Sequence, residues 1–362
     1  MTKARTNASA SPAVGRNMVI NGAMNVAQRS ASVTGLGAAG GYFTVDRWKL
    51  NMAHTAGRLT MTQTADGPDG ISANCIKLDC TTADTSIAAN EYLILEQRFE
   101  GQNLQRMGKG LAGSKQVTVS FYVKANAAFT FGVELYDADH NRQITKLYAT
   151  TTDWVRHELT FPADVDGGDQ PYEDDNAMSL LVDFWLHGGS NYTSGTLNSE
   201  SWANVTAANF AAGIDSFFSS TDNNFFLTGV QMEVGPVATE FEQEDFGTTL
   251  QKCQRYFYRH GGAVGEAIGD MLPTNASAGA ITVLNPVELR ADPSVTILNL
   301  TVHDTATVHA VTAIQIRNDL SANRRFMYFV TTVGGGGMTG FRPMVAAIDG
   351  SSAGYLELDA EL

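Results

Sequence analysis

Apolar and polar residues alternate with a period of two along much of residues 17–234. In VTVSFYV, Val117, Val119, Phe121 and Val123 fall on one side, and Thr118, Ser120 and Tyr122 on the other. FTFGVEL does the same with Phe129, Phe131, Val133 and Leu135, and WVRHELTF (154–161) and LLVDFWL (180–186) repeat the pattern. This is the mark of a β-strand with one face on a core. Clusters of Gly, Asn and Asp separate the runs and signal turns, and 124–128 reads as the hairpin connection between the first two. Many strands with no helices alternating between them predict an all-β fold built on an antiparallel sandwich. Alternation alone leaves a jelly roll and an immunoglobulin-like sandwich both open.

The period changes at 246–262. Thr248 and Gln251 stand at capping-box spacing, Leu250, Cys253 and Phe257 form one apolar stripe, and Gly261 and Gly262 offer a left-handed stop. One short linking helix is expected there. Short strands return at 280–284, 295–302, 308–316, 325–333 and 355–358. The chain therefore divides into a flexible N-terminal arm (1–15), a sandwich (16–245), a linker helix (246–262) and a second, small antiparallel β-domain (263–362), all of ordinary size. The arm is rich in Ala, Ser and Thr and has no periodicity, so it reads equally as a free terminus or as an anchor that docks into a neighbour. The exposed strand edges expected of so small a last domain would be covered by an oligomer. Two long polar loops interrupt the sandwich, 162–177 and 187–212. Loops of that length are commonly functional or mobile.

Composition narrows the classes. Charged residues make up 17% and there are 35 glycines, which suits a folded, turn-rich chain. A net charge of −14 argues against binding nucleic acid or an anionic bilayer through bulk charge. Lys3 and Arg5 precede small polar residues, so no signal peptide is expected, and no apolar run is long enough to span a membrane. Cys75 and Cys80 lie five residues apart, roughly 17 Å in an extended strand, against the limit of about 7 Å for a disulfide. They and Cys253 are read as reduced packing residues.

A series of motifs runs through the chain: RNMVINGAMNVAQR (16–29), VDRW (45–48), LEQRFEG (95–101), VTVSFYVKA (117–125), GVQMEVGPVATEFE (229–242), CQRYFYR (253–259), NPVELRADPSVT (285–296) and LELDAEL (356–362). In order and spacing they resemble a family of tailed-bacteriophage virion proteins, fibres and other structural components, over nearly everything beyond Gly15. The resemblance implies a jelly-roll, carbohydrate-binding-like module followed by a small β-domain. Fibre-type members are commonly trimers, which implies a homotrimer. The expected role is a trimeric tail fibre or spike on the virion exterior, assembled in the bacterial host cytoplasm and contributing to attachment to host-surface glycans. Its arm would meet other virion proteins. A head fibre or capsid decoration protein, and a polysaccharide-degrading tailspike enzyme, are the alternatives.

Chemistry is sparse. Asp137, Asp139 and Asn141 have the alternation of a calcium loop, but Arg142 and Tyr148 stand where an EF-hand needs Gly and Glu, so a plain turn is expected. The acidic run Asp164, Asp166, Asp169, Glu173, Asp174 and Asp175 reads as solvated, with Asp166 and Asp169 the residues a glycosidase reading would use. Residues 334–337 are four glycines without the Lys-Ser/Thr ending of a phosphate loop, and read as a hairpin tip. The seven histidines show no zinc spacing, and there is no nucleophile-elbow motif. No catalytic residue, metal or cofactor is expected. The binding expectation falls on the loop carrying Tyr192, Trp202 and Asn191, because sugars offer apolar C–H faces to rings and hydroxyls to amides. The alternative weighed against it is that the two rings pin the loop to the core or to a neighbouring protomer. Asp46 and Arg47 read as a partly buried structural pair beside Trp48.

Overall fold

The computed structural model describes residues 15–111, 113–165, 170–304, 307–317 and 324–362. Residues 1–14 of the expected arm, and Asp166 and Asp169, lie outside them. Two compact units emerge, Met1–Asp245 and Phe246–Leu362.

The first unit opens with β1 (Ser32–Leu36), β2 (Gly41–Tyr42), β3 (Lys49–Ala53), β4 (Arg58–Thr64), β5 (Cys75–Thr82) and β6 (Tyr92–Glu100). It continues with β7 (Val117–Ala125), β8 (Thr130–Asp137), β9 (Arg142–Ala149), β10 (Val155–Phe161), β11 (Met178–Gly188), the one-turn helix α1 (Ser190–Thr193), β12 (Ala203–Asn204) and β13 (Asn224–Val234). The strands form two antiparallel sheets, ordered β1-β4-β5-β13-β7-β10 and β12-β9-β8-β11-β6-β3-β2. Consecutive strands often cross from one sheet to the other, as in a jelly roll. β7 and β8 are such a pair, so 124–128 bridges the sheets instead of closing a hairpin. Alternation shows which residues face inward but carries no information on which sheet a strand joins.

Between the sheets lies an aromatic core. Phe184 of β11 packs against Trp48 at 6.1 Å and against Phe121 at 5.1 Å between ring centroids. All three are fully buried, and each such ring contributes about 1.5–3 kcal/mol by leaving water. The three cysteines are free and buried.

The segment 16–29 is held by side-chain hydrogen bonds to backbone. Asn21, in the left-handed region at φ 58°, donates from Nδ2 to the carbonyls of Val26 (2.9 Å) and Asp46 (3.0 Å). Its Oδ1 accepts from the amides of Asn25 and Val26, and its carbonyl accepts from Trp48 Nε1 at 3.3 Å. Gln97 of β6 grips both backbone groups of Ile20. Asn17 Oδ1 accepts from the Met232 amide, and Glu242 accepts from the amides of Gly15 and Asn17. Asp46 accepts from the amide and side chain of Gln28, and Arg47, at φ 71°, donates to the Arg98 carbonyl. Both are wholly buried, not partly as expected. The sandwich motifs 16–29, 45–48, 95–101 and 229–242 thus converge on one polar seam, buried at Asn21, Asp46 and Arg47.

In the second unit, α2 (Phe246–Gln254) begins two residues before Thr248 and ends well short of Gly262. Residues 257–261 form β14 (Phe257–Gly261), paired with the last strand of the chain, so sheet pairing overrides the helical spacing of Phe257. The remaining strands are β15 (Ala267–Pro273), β16 (Ala278–Leu284), β17 (Ser294–Leu298), β18 (Leu300–His303), β19 (Val308–Ile316), β20 (Phe326–Val333), β21 (Met344–Ile348) and β22 (Tyr355–Asp359). A closed barrel, β15-β16-β20-β19-β18-β21, sits beside the sheet β14-β22-β17. The single strand expected at 295–302 is broken at Asn299, whose φ of 48° turns the chain from that sheet into the barrel. Closure removes the barrel's edges, so the edge argument for an oligomer does not apply to it. Residues 334–337 form a turn between β20 and β21, which do not pair, and so are not a hairpin tip.

Asn21→Ala removes four hydrogen bonds from a buried, left-handed position. It is expected to destabilise the first unit by roughly 2–4 kcal/mol, read as an earlier denaturant midpoint, whereas Asn191→Ala on the exposed surface should leave it unchanged.

Candidate functional site

The antiparallel register of β11 against β8 and β6 sets both faces of the seven-stranded sheet. Val133, Phe184 and Leu95 are opposite one another and point into the core. One residue along, Glu134, Asp183 and Glu96 form a row on the outer face, and Lys49 of β3 continues it. Like charges directly opposite one another disfavour a sheet, and these three are 1%, 5% and 0% exposed.

Part of the row is neutralised. Glu96 accepts from Arg98 Nε at 2.6 Å and from Asn51 Nδ2 at 2.8 Å, with Lys49 Nζ at 3.8 Å. Glu134 Oε2 accepts from Trp185 Nε1 at 2.6 Å. Glu134 Oε1 and Asp183 Oδ1 are buried without a hydrogen-bond partner. Burial pushes the Glu134 carboxyl up to about 8, and the Trp185 bond only partly offsets it. Asp183 is driven well above the carboxylate range, first by burial and then by Glu96 and Glu134. Desolvation dominates both, since among the described residues no cation pairs directly with either carboxyl, and Arg98 and Lys49 only partly offset it at Asp183.

A wall of rings stands over this floor. Residues 189–214 fold back across the outer face through α1, so that Tyr192 lies 5.5 Å from both Trp185 and Tyr92. Phe210 stacks on Trp185 at 5.8 Å and meets Tyr136 edge-on at 6.3 Å. Gly132 of β8 lies opposite Trp185, and a Cβ there would be 3.2 Å from Thr145 and near Trp185. Floor and wall enclose a groove of about 290 Å³, lined also by Asn51, Ile94 and Leu181. A depression along residues 65–73 is larger, about 580 Å³, but its lining has no aromatic ring and only Asp69 to ionise. The 290 Å³ groove pairs apolar ring faces with carboxyl and amide groups, the chemistry a polar ligand with apolar faces requires.

The structure separates the three residues singled out by sequence. Tyr192 is in the groove wall. Asn191 is exposed on α1, its amide bonded to the Ala89 carbonyl. Trp202 is 6% exposed, packed in the core, and donates Nε1 to the Pro162 carbonyl at 2.8 Å. Beside it Arg142 forks onto both oxygens of Asp164 at 2.7 Å, which makes that acid structural. Asp137, Asp139 and His140 are close enough to hold a metal ion. Lys109 Nζ already stands 2.9 Å from Asp137 and 3.0 Å from His140 Nδ1, so an ammonium supplies the positive charge there. Sequence reading passed over a second trio: Ser216 Oγ is 2.8 Å from His187 Nδ1, and His187 Nε2 is 3.3 Å from Glu91. The imidazole is wholly enclosed and held neutral by burial, and Ser216 caps a short 3₁₀ turn by accepting from the Phe218 amide. This trio is a packing device. The groove residues had a signal of their own, an acid at the centre of three apolar strands, YLILEQ, FGVEL and LLVDFW.

No protein-family model and no curated protein matches the chain. Solved structures are similar in part. A CBM4 structure aligns over 59% of this chain and 98% of its own, at 12% identity and a TM-score of 0.28. The enzymatically active domain of tailspike protein 4 of bacteriophage CBA120 aligns over 61% of this chain and 22% of its own, at 11% identity and a TM-score of 0.31. TmCBM61 in complex with β-1,4-galactotriose aligns over 61% and 100%, at 9% and 0.29.

Glu134 and Asp183, faced by Glu96, Arg98, Lys49, Tyr92, Tyr136 and Tyr192, bind protons more tightly folded than unfolded. Their contribution to stability is therefore present at low pH and lost as pH rises, through about 8 for Glu134. Glu134→Gln keeps the shape and removes the charge. It is expected to raise the melting temperature by a few degrees at pH 9 and to change it little at pH 5; a lower melting temperature at pH 9 would contradict this.

Proposed function

We propose that this chain is a non-enzymatic, glycan-binding component of a tailed-bacteriophage virion, a trimeric tail fibre or spike, and that the groove over β6, β11 and β8 receives the glycan. The observation that carries the binding reading is the groove itself. The half-buried rings of Tyr92, Tyr136 and Tyr192 provide faces for the C–H surface of a sugar, Trp185, 3% exposed, is the buried ring on which Tyr92 and Tyr192 pack, and Asn51, Glu134 and Asp183 provide hydrogen-bonding groups. The virion reading rests on the ordered motif series, which the fold uses as scaffolding. In that setting the N-terminal arm joins other virion proteins and the sandwich is displayed on the virion exterior.

One observation favours a second reading. Glu134 and Asp183 are opposite each other on adjacent strands, and a carboxyl raised to about 8 beside another acid is also how a glycosidase holds its general acid. An assay for new reducing ends on host capsule or lipopolysaccharide separates the two, because binding alone releases none.

The test of the binding reading is calorimetry or array binding with host envelope polysaccharides. Trp185→Ala removes the ring on which Tyr92 and Tyr192 pack and the donor to Glu134, and is expected to weaken binding at least about tenfold, while Trp202→Phe leaves it unchanged. The reverse pattern would move the site to the Trp202 loop. Light scattering should give a mass three times 38.8 kDa, and a monomer would remove the trimer.

A further inference from the structure

Resting on the groove as the glycan site, we propose that its floor recognises an organic ammonium, the protonated amine of an amino sugar, held between Glu134 and Asp183. Two carboxyl oxygens, Glu134 Oε1 and Asp183 Oδ1, are more than nine-tenths buried, lack a partner, and belong to residues that line the groove. Their neighbour Glu96 is already answered by Arg98, Asn51 and Lys49. The open acceptors are thus confined to two opposed strands, whose directly facing Cβ atoms stand about 4.5–5.5 Å apart. An ammonium has three donors directed apart, so it can bridge two such acceptors at about 2.7–2.9 Å each. A sugar hydroxyl could donate to one of them but would bring no charge to balance the pair.

The choice of an organic cation over a metal ion follows from the surroundings. Among the described residues, the potential metal-ligating atoms drawn within 4.8 Å of one another in a group of three are those of Asp137, Asp139 and His140, not the groove trio. A hard divalent ion needs several oxygens converging on one point. The groove offers two, beside the half-buried rings of Tyr92, Tyr136 and Tyr192, and ring faces attract ammonium ions and pack against the C–H faces of a sugar. Binding also has a proton signature. Without ligand, burial and then Glu96 hold the Glu134 carboxyl up, and burial, Glu96 and Glu134 hold Asp183 up, with Arg98, Lys49, Tyr92, Tyr136 and Tyr192 also facing them. A bound ammonium favours their ionised forms, so protons leave as the ligand enters.

The experiment is titration calorimetry of the full chain, in two buffers of different ionisation heat, against a β-1,4-linked glucosamine tetrasaccharide, its N-acetylated counterpart, a β-1,4-linked glucose tetrasaccharide and tetramethylammonium. The amine form is expected to bind at least tenfold more tightly than the acetylated and glucose forms and to release protons. Glu134→Gln and Asp183→Asn should each bring that preference toward one, while Glu158→Gln on β10 of the other sheet, with the same change in charge, keeps it. Melting curves identify any variant that fails to fold, and each of the two groove variants tests the proposal without the other. Equal or tighter binding of a neutral saccharide overturns the inference and leaves the groove reading standing. So does an amine preference that survives both groove substitutions, which would be bulk attraction to an acidic chain. Tetramethylammonium binding as tightly as the amino sugar would overturn the assignment to a saccharide. Saccharide binding of every kind that persists in Trp185→Ala would instead remove the groove as the glycan site.

Discussion

The register of β11 between β6 and β8 is the constraint on which this molecule turns. A slip of one residue would send Phe184 out and Asp183 into the core, because side chains alternate across a sheet. The present register seats Phe184 against Trp48 and Phe121 and leaves Asp183 in line with Glu134 and Glu96. Core and groove are two faces of one pairing. The large apolar gain on the inner face holds in place an outer row that would not assemble by itself, since opposed carboxylates in low dielectric repel and lose hydration. A local conflict tolerated by a well-packed surround is the usual mark of a site. Here it lies beneath a wall of rings supplied by residues 189–214.

The motif series has a different place in the molecule. Gln97 of β6 in one sheet and Met232 of β13 in the other, with Asn21, Asp46 and Glu242 from the connecting segments, fasten 15–29 through its backbone and Asn17. Such residues specify how a chain closes its sandwich. They are distant in role from the groove, and a chain could retain them while its groove changed ligand. Likeness in those motifs therefore speaks to architecture, and the groove speaks to recognition.

The strands were legible because a half-buried strand has no choice but to alternate. Val117–Val123 and Leu180–Leu186 are strands as read, and 308–316 matches β19 residue for residue. What alternation could not carry was partnership: 124–128 looks like a hairpin in one dimension and is a bridge between sheets in three. The helix at 246–262 was over-extended because Phe257 satisfies helical spacing while β22 pairs with it. Tyr192 stands out in the sequence by its chemistry and lies in the groove wall. Trp202 was grouped with it because they share a loop, yet the loop carries one ring to the groove and the other to Pro162. Glu134, Asp183 and Glu96 each looked like the ordinary polar member of an alternating strand. Only the register brings them into a row, and register is a relation between distant segments that no single run of residues contains.

The proposed glycan groove is backed by Trp185. The chain has four tryptophans, and their indole N–H groups sit in different places. That of Trp185 donates to Glu134, Trp48 to Asn21, Trp154 to the Asp66 carbonyl and Trp202 to the Pro162 carbonyl. A titration of ¹⁵N-indole-labelled protein with a binding glycan reads all four at once. With glycan in the proposed groove, the Trp185 resonance is expected to move with saturation while the other three stay within linewidth. Movement of Trp202 with Trp185 unchanged would contradict it and return the site to the loop.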